Sequence, residues 1–494
     1  MIHLIRNIVC SVFCLAALSM SATAEEMSLA QVIKTVLAHH PDLHVSRIDS
    51  DIAATETLRV EGILDPVVTA SIGASDEKIP TISDFQPSEN RLGHLTGSIA
   101  KPLANGGTIG ADFKYSRSSQ GFNSPFAAQL ALFNPSYRNE ININYRHPLL
   151  KGSDRPDYSQ SLISAQAELE QTRKQQQVLA HQLTLQAINA YYRLAADDIN
   201  IDIAEQAVKR GQTLLSYQRS REQFGLIEKA DRLQAEAFLA ARKTDLQRAR
   251  SVRLNDQNTL NRLMLRAAST EVSVTYGQQL TKPETSIDAA VEQAKQWRPE
   301  LQALNAQMQA ADARLSLARD GDQPQLDVIA ELGTRALDKT LLPAAVAGFS
   351  VHDHFASLSL ELSDTLGRNT ARAAIRKAEL QRLRIDAQRT SVLKQIRDDI
   401  SSAVTAIISG KPTLELARKQ VKAEQQKFNE ELKRYRKGRS DTATLVQFEN
   451  ELRNAALNAK LQQLTIELAA QQLAWAQGQL LYRLGIYDTA KPQP

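Results

Sequence analysis

The sequence predicts an internally duplicated protein of the α plus transmembrane β-barrel class, with very long helical hairpins and four to six membrane strands per chain. Three observations carry this. Residues 28–73 and 286–331 hold two copies of one pattern at a constant offset of about 258. Two stretches, roughly 65–150 and 324–363, alternate apolar and polar residues with the period of a strand. Each is followed by helical runs too long for a compact domain, folding back at a glycine.

The first copy opens SLAQVIKTVLAHHPDL and reaches LDPVVTASIG. The second opens SIDAAVEQAKQWRPEL and reaches GDQPQLDVIAE. Pro41 matches Pro299, Asp42 matches Glu300, Leu43 matches Leu301 and Pro66 matches Pro324. The expected organisation is a signal peptide at 1–24, a first repeat at 25–283, a second at 284–487 and a short tail at 488–494.

Composition supports helices over a large globular core. Aromatics are 5% of the 494 residues, charged residues 23%, and mean hydropathy is -0.33. A net charge of +4 is too balanced to argue for a nucleic-acid partner. Residues 1–24 carry Arg6, an apolar run at 8–18 and Ala22-Thr23-Ala24, the pattern of a secretory signal, so the mature chain is expected to begin near Glu25. Both cysteines, Cys10 and Cys14, lie inside that segment. The expected mature chain therefore has no disulfide, thiolate metal site, thiol nucleophile or N-terminal lipid anchor. No later stretch offers the ~18–20 consecutive apolar residues of a spanning helix. Any membrane crossing must then be a closed β-barrel, the other structure that satisfies its backbone in lipid.

Taken in order, residues 28–62 read as a helix, with Ser28 as N-cap and Leu29, Val32, Ile33, Val36 and Leu37 at helical spacing. Three alternating runs follow, around Val68–Ile72, Ile109–Tyr115 and Ile141–Tyr145, with a weaker one at 95–103. Asn105-Gly106-Gly107 is a tight turn, whereas 76–91 and 118–138 read as long polar loops. Short turns on one side and long loops on the other are the habit of membrane barrels. A helical hairpin spans 155–265 and turns at Phe224-Gly225-Leu226; its first arm would be on the order of 100 Å long at 1.5 Å per residue. The second half repeats the plan: a helix at 286–319, strands at 324–333 and 356–363, and helices at 368–436 and 441–484 joined at Lys437-Gly438-Arg439-Ser440. Gly410-Lys411-Pro412 is expected to kink or break the first of these.

The turns match as well: Gly225 with Gly438, Glu228 with Asp441, Gln234 with Gln447 and Glu236 with Glu449. Their offset is about 213, so the first copy holds about 45 residues more than the second, assigned mainly to two extra strands and their loops at 92–138. Six strands still cannot close a single-chain barrel, which needs about eight, so spanning strands require oligomers.

These features resemble the TolC family of outer-membrane efflux and secretion channels. The resemblance rests on the S-L-x-x-x-[IV] to P-[DE]-L opening of each copy, on R-H-P-L-L-K-G at 146–152 before a long helix, and on the two glycine-centred turns; it covers roughly 28–487. It implies a homotrimer sharing one barrel in outer-membrane lipid, with the helices forming a periplasmic tunnel. It also implies a periplasmic adaptor (membrane fusion) protein and an inner-membrane transporter as partners. Family members usually give four strands per protomer; this chain offers up to six, unless 92–117 is a hairpin that does not span. Gly225, Leu226, Ile227, Gly438, Arg439 and Ser440 are the implied adaptor contacts. Asp231 and Tyr435 fall where the family closes its tip. The acidic ring of the family's narrow tip corresponds here to Thr444 and Gln447, so a cation-binding gate is not implied.

No enzymatic role, cofactor or metal site is expected. His39-His40 and His352-Asp353-His354 lack the i, i+4 spacing of a zinc pair with a nearby acid, and no P-loop, GxGxxG or Ser/His/Asp set is present. The competing reading is a periplasmic coiled-coil adaptor protein of a transport complex. It accounts for the signal and a helical hairpin, but not for two hairpins and two strand regions.

Overall fold

The computed structural model describes residues 25–276, 286–347 and 353–486. The expected signal peptide, the 488–494 tail and His352 lie outside the described residues. In chain order the strands are β1 (Glu25–Met27), β2 (Val67–Lys78), β3 (Pro87–Pro102), β4 (Thr108–Phe122), β5 (Ser136–Pro148), β6 (Val272–Val274), β7 (Gln325–Asp338) and β8 (His354–Ser363). The helices are α1 (Leu29–His39), α2 (Pro41–Glu61), α3 (Pro125–Leu130), α4 (Pro156–Gln223), α5 (Lys229–Leu263), α6 (Ile287–Trp297), α7 (Pro299–Asp320), α8 (Leu341–Ala347), α9 (Asn369–Arg436), α10 (Thr442–Ala476) and α11 (Leu480–Arg483).

Four helix expectations are corrected. The 28–62 helix is two helices, because Pro41 has no N–H to continue α1 and His40 turns to extended backbone (ψ 127°). Pro299 splits the 286–319 helix in the same way, with Arg298 extended at ψ 119°. The 441–484 helix stops at Ala476, where Gly478 takes φ +74°; a Cβ there would meet the Trp297 backbone at 2.9 Å, so only glycine fits. Conversely, Pro412 does not end α9, which runs unbroken for 68 residues. A proline inside a helix costs about 3 kcal/mol. Pro412 lies on the exposed side, while Ile396, Ile400, Val404 and Ile407 before it and Phe428 after it are buried, so packing on both flanks holds the helix through the defect.

The chain forms two compact units. Among the described residues, one comprises those up to Arg47, those within Lys174–Leu301 and those from Thr390 on; the other comprises those within Ile48–Arg173 and Gln302–Arg389. Each takes material from both sequence repeats.

The second unit is built on a six-stranded antiparallel sheet in the order β2-β3-β4-β5-β7-β8. The strands outrun the alternating segments: β2 extends to Lys78 and β3 starts at Pro87, inside the expected 76–91 loop. β3 pairs with β2 from Ala100 to Glu89, and with β4 along nearly its whole length. The 92–117 segment is therefore an integral pair of strands. One row of neighbours reads Val68, Ile99, Ala111, Ile143, Leu332, Ala356; the row beside it, on the other face, reads Thr69, Ser98, Asp112, Asn142, Gly333, Phe355.

The first unit has a core around a short parallel pair, β1 with β6, which no sequence pattern announced. Leu29, Val32, Ile33 and Val36 of α1 and Ala290, Val291 and Ala294 of α6 pack there against Ile188 and Tyr191 of α4 and Ile396 and Ile400 of α9. The Tyr191 hydroxyl donates to the Met27 carbonyl (3.3 Å) and to that of Thr275, joining the strands to the helix. Ser28 and Gln31 form a reciprocal capping box on α1.

Candidate functional site

The two hairpin turns end their first helices with the same bonds. Leu226 N–H donates to the Arg221 carbonyl and Gly225 N–H to that of Glu222, both at 2.9 Å. In the second turn Arg439 N–H donates to Arg434 (2.9 Å) and Gly438 N–H to Tyr435 (3.0 Å). Gly225 and Gly438 sit at φ +66° and +71°, the left-handed conformation that this helix ending requires.

The surfaces that these turns present differ. Phe224 and Leu226 are 76% and 63% exposed, an apolar tip that gains nothing from water. The equivalent positions in the second turn are Lys437 and Arg439, both exposed. Ile227 is half-buried, as is its counterpart Ser440, whose hydroxyl bonds to the buried carboxylate of Glu431.

Behind the turns lies a buried polar network. Gln218 Nε2 donates to Thr442 Oγ1 (2.7 Å), and Thr442 Oγ1 meets the Tyr435 hydroxyl at 3.0 Å. The Tyr435 ring packs 5.8 Å from Tyr217. Burial pushes the Tyr435 phenol up, so it stays a neutral hydrogen-bonding group. Arg210 reaches Glu449 with two nitrogens, at 3.0 and 2.9 Å, and Glu449 is 2% exposed. Phe238, Leu239, Phe428, Leu445 and Leu452 surround this network.

The sequence-predicted residues are thus placed as follows. The six turn residues occupy the two helix ends. Tyr435 is in the network, but its hydroxyl bonds Thr442; Asp231, on the first turn of α5, acts on it only through its charge. Thr444 N–H caps onto Asp441 at 2.7 Å, and the Gln447 amide donates to Glu451 at 3.0 Å. Sequence reasoning missed Gln218, Thr442 and Glu449 as buried groups, and half-buried Arg210 as the partner of Glu449. For Glu449 a signal existed: it is spaced by helix turns from Leu445 and Leu452, on the buried face.

Farther along the first hairpin, the Asp197 carboxyl faces that of Asp256. Burial first, then the adjoining Asp256 carboxyl and the neighbouring Asp198 charge, hold Asp197 up to about 7. His181 is stacked on Trp475 (centroids 4.5 Å apart), and Trp475 Nε1 donates to the His181 carbonyl at 2.7 Å. Burial, with Arg298 adding to it, keeps the imidazole well below its ordinary range.

In the sheet unit the polar face carries its own pairs. Arg146 Nε donates to Asp327 at 2.8 Å and its guanidinium also reaches Glu361 at 3.2 Å; Asn144 donates to Asp112 at 2.7 Å. The opposite face exposes Val68, Ile72, Leu358, Leu360 and Leu362 at 64–85%. A sheet that is apolar on one face, polar on the other and shows large apolar side chains to the outside matches a barrel wall between lipid and water.

Residues 290–479 match the family model for outer membrane efflux proteins. The fold of this chain resembles the outer-membrane channel OprN, with 16% identity, a TM-score of 0.67, and 91% of this chain and 89% of that chain covered. It also resembles the CmeC outer membrane channel of Campylobacter jejuni, at 12% identity, TM-score 0.64 and coverage of 94% and 91%. The outer membrane protein VceC of Vibrio cholerae gives 16%, 0.62, and 92% and 96%. No curated protein matches the chain.

Proposed function

We propose that the chain is the outer-membrane channel subunit of a tripartite efflux pump or type I secretion system, a passive conduit from periplasm to exterior. The two-faced six-stranded sheet carries this reading: its apolar face needs lipid, and its polar face needs water. Three copies share the barrel, and each sequence repeat contributes strands and one tunnel hairpin. The inner-membrane transporter supplies the energy, through a periplasmic adaptor that meets Gly225, Leu226 and Ile227 of one turn and Gly438, Arg439 and Ser440 of the other. An exposed apolar tip beside a cationic one suits a partner with an apolar surface rimmed by acids. Asp231 and Tyr435 belong to the closing contacts, with Asp231 facing a tyrosine already held by Thr442.

The test is deletion of the coding sequence followed by measurement of drug or toxic-ion susceptibility and of secreted protein, with fractionation in parallel. The expected result is loss of export restored by the intact chain, and recovery in outer-membrane fractions. Recovery in the soluble periplasm would favour the adaptor reading instead. Cysteines at Leu226 and Arg439 should cross-link to the adaptor in vivo; absence of adducts at both counts against the tip assignment.

A further inference from the structure

The sheet ends at β2 and β8, and both edges are long: twelve and ten residues. In lipid their unpaired N–H and C=O groups would cost several kcal/mol each. Six strands are too few to close on themselves, since single-chain barrels start at about eight. The partner for each edge is already described inside the chain. β5, the last strand of the first repeat, pairs with β7, the first strand of the second, from Pro148–Asp327 to Tyr137–Asp338. β8 and β2 are the last and first strands of the same repeats, standing at the free edges.

Three markers fix the equivalence. Pro66 and Pro324 precede β2 and β7. Gly152 and Gly367 follow β5 and β8 with φ +84° and +94°. Arg155 and Arg368, at φ 47° and 46°, stand directly before the long helices. Each arginine also bonds the turn ahead of a neighbouring strand: Arg155 to the Gly106 and Gly107 carbonyls at 2.9 Å, Arg368 to that of Asp322 at 2.9 Å. Carrying the β5–β7 register to the edges lays β2 of one copy antiparallel to β8 of the next. Ile72 then faces Leu358 or Leu360, and Ser71 faces Ser359 or Glu361. Apolar residues meet apolar ones and polar meet polar along the seam, which a one-residue slip would reverse.

We propose that β8 of each copy pairs with β2 of the next, and that three copies close an eighteen-stranded barrel (three copies of six). The trimer in this inference rests on the proposed channel function. The β3–β4 hairpin is what enlarges the barrel, and Arg155 latches its turn to the base of the sheet. A barrel of about 16–18 strands leaves an open aqueous lumen. Its mouth therefore admits bulkier cargo than the same fold without that hairpin.

The test uses full-length protein in outer membranes, with paired cysteines. Ile72→Cys with Leu358→Cys, and separately with Leu360→Cys, should give reducible dimers and trimers in at least one pair. Ser71→Cys with Leu360→Cys, whose side chains point to opposite faces, should give none. A linked series ending at dimer overturns the eighteen strands; linkage only in the Ser71 pair overturns the register. Outer-membrane trimers with no linkage in any pair overturn the seam while leaving the channel function standing, whereas recovery as a soluble protein sinks both. Electron cryo-microscopy of the unsubstituted trimer in lipid nanodiscs provides the independent count: eighteen strands uphold the proposal and any smaller number overturns it.

Discussion

The two helical hairpins descend from one pattern, yet they are finished differently. The first has an apolar exposed turn, Phe224-Gly225-Leu226, and its return helix starts at Glu228 with no side-chain cap. The second has a cationic turn, Lys437-Gly438-Arg439, and its return helix is capped by Asp441. The same divergence appears along the arms. Glu449 is buried against Arg210, whereas its counterpart Glu236 is an exposed partner of Arg232. Asp197 and Asp256 face each other in the first hairpin; the equivalent positions in the second are Gly410 and buried Ala469, and a Cβ at Gly410 would meet Ile466 at 2.7 Å. Duplication has preserved the backbone plan and released the side chains. The second hairpin is close-packed and capped; the first carries polar pairs and an exposed apolar tip.

The largest test of the comparison is the buried pair. Arg210→Ala leaves Glu449 without its cation and should destabilise by about 3–5 kcal/mol. Glu236→Ala, which removes the exposed carboxylate at the position matching Glu449, should cost less than about 1 kcal/mol. Thermal unfolding of the two variants in detergent checks this, and similar losses would break the comparison. The turns should instead respond alike. Gly225→Ala and Gly438→Ala meet no neighbouring atom within 4 Å, so each should cost only the left-handed backbone strain, roughly 1–2 kcal/mol. Unequal melting shifts would show that one turn is held by contacts that the other lacks.

Capping offers a smaller contrast. Asp441→Ala should cost about 1 kcal/mol, and Glu228→Asp, which supplies the missing cap, should recover part of that amount. Paired melting curves measure both, and a destabilising Glu228→Asp would mean that the first turn is shaped by something other than capping. The carboxyl pair gives a pH signature found only in the first hairpin. Asp197 is raised from 3.8 to about 7, so the folded state holds a proton that the unfolded chain releases. Its stabilisation is full below pH ~4 and is lost as pH rises through about 7. His181, shifted the other way, has its contribution above its ordinary range and loses it on acidification. Asp197→Asn should flatten the decline of melting temperature between pH 5 and 7 and leave the acid-side loss intact. An unchanged profile would remove the pair from the account.

Much of the plan was legible in the sequence. The glycines at 225 and 438 marked both turns because a tight helix ending needs a left-handed residue, and alternation marked strands in both halves because a two-faced sheet has period two. What escaped has a physical reason in each case. β1 and β6 are three residues each, too short to show a period, and are held by Tyr191 from a distant helix. Pro412 reads locally as a breaker, but burial on both flanks outweighs a single lost hydrogen bond. The resemblance places Tyr435 where the family closes its tip, but does not give its hydroxyl's bond to Thr442, seven residues away across the turn, since hydrogen-bond partners depend on rotamers that spacing does not specify.

By itself, then, the sequence determined the repeated order of elements, the two hairpin turns and the excess of strand-forming residues in the first copy. These follow from local propensity and periodicity, which act within a few residues. Only the tertiary structure decided that the strands of both repeats merge into one sheet, that β3 and β4 lie within it, and that Glu449 is buried while Glu236 is not. Those outcomes depend on pairing and burial between segments 181 to 239 residues apart, such as Arg146 with Asp327 and Arg210 with Glu449, for which no local pattern carries the information.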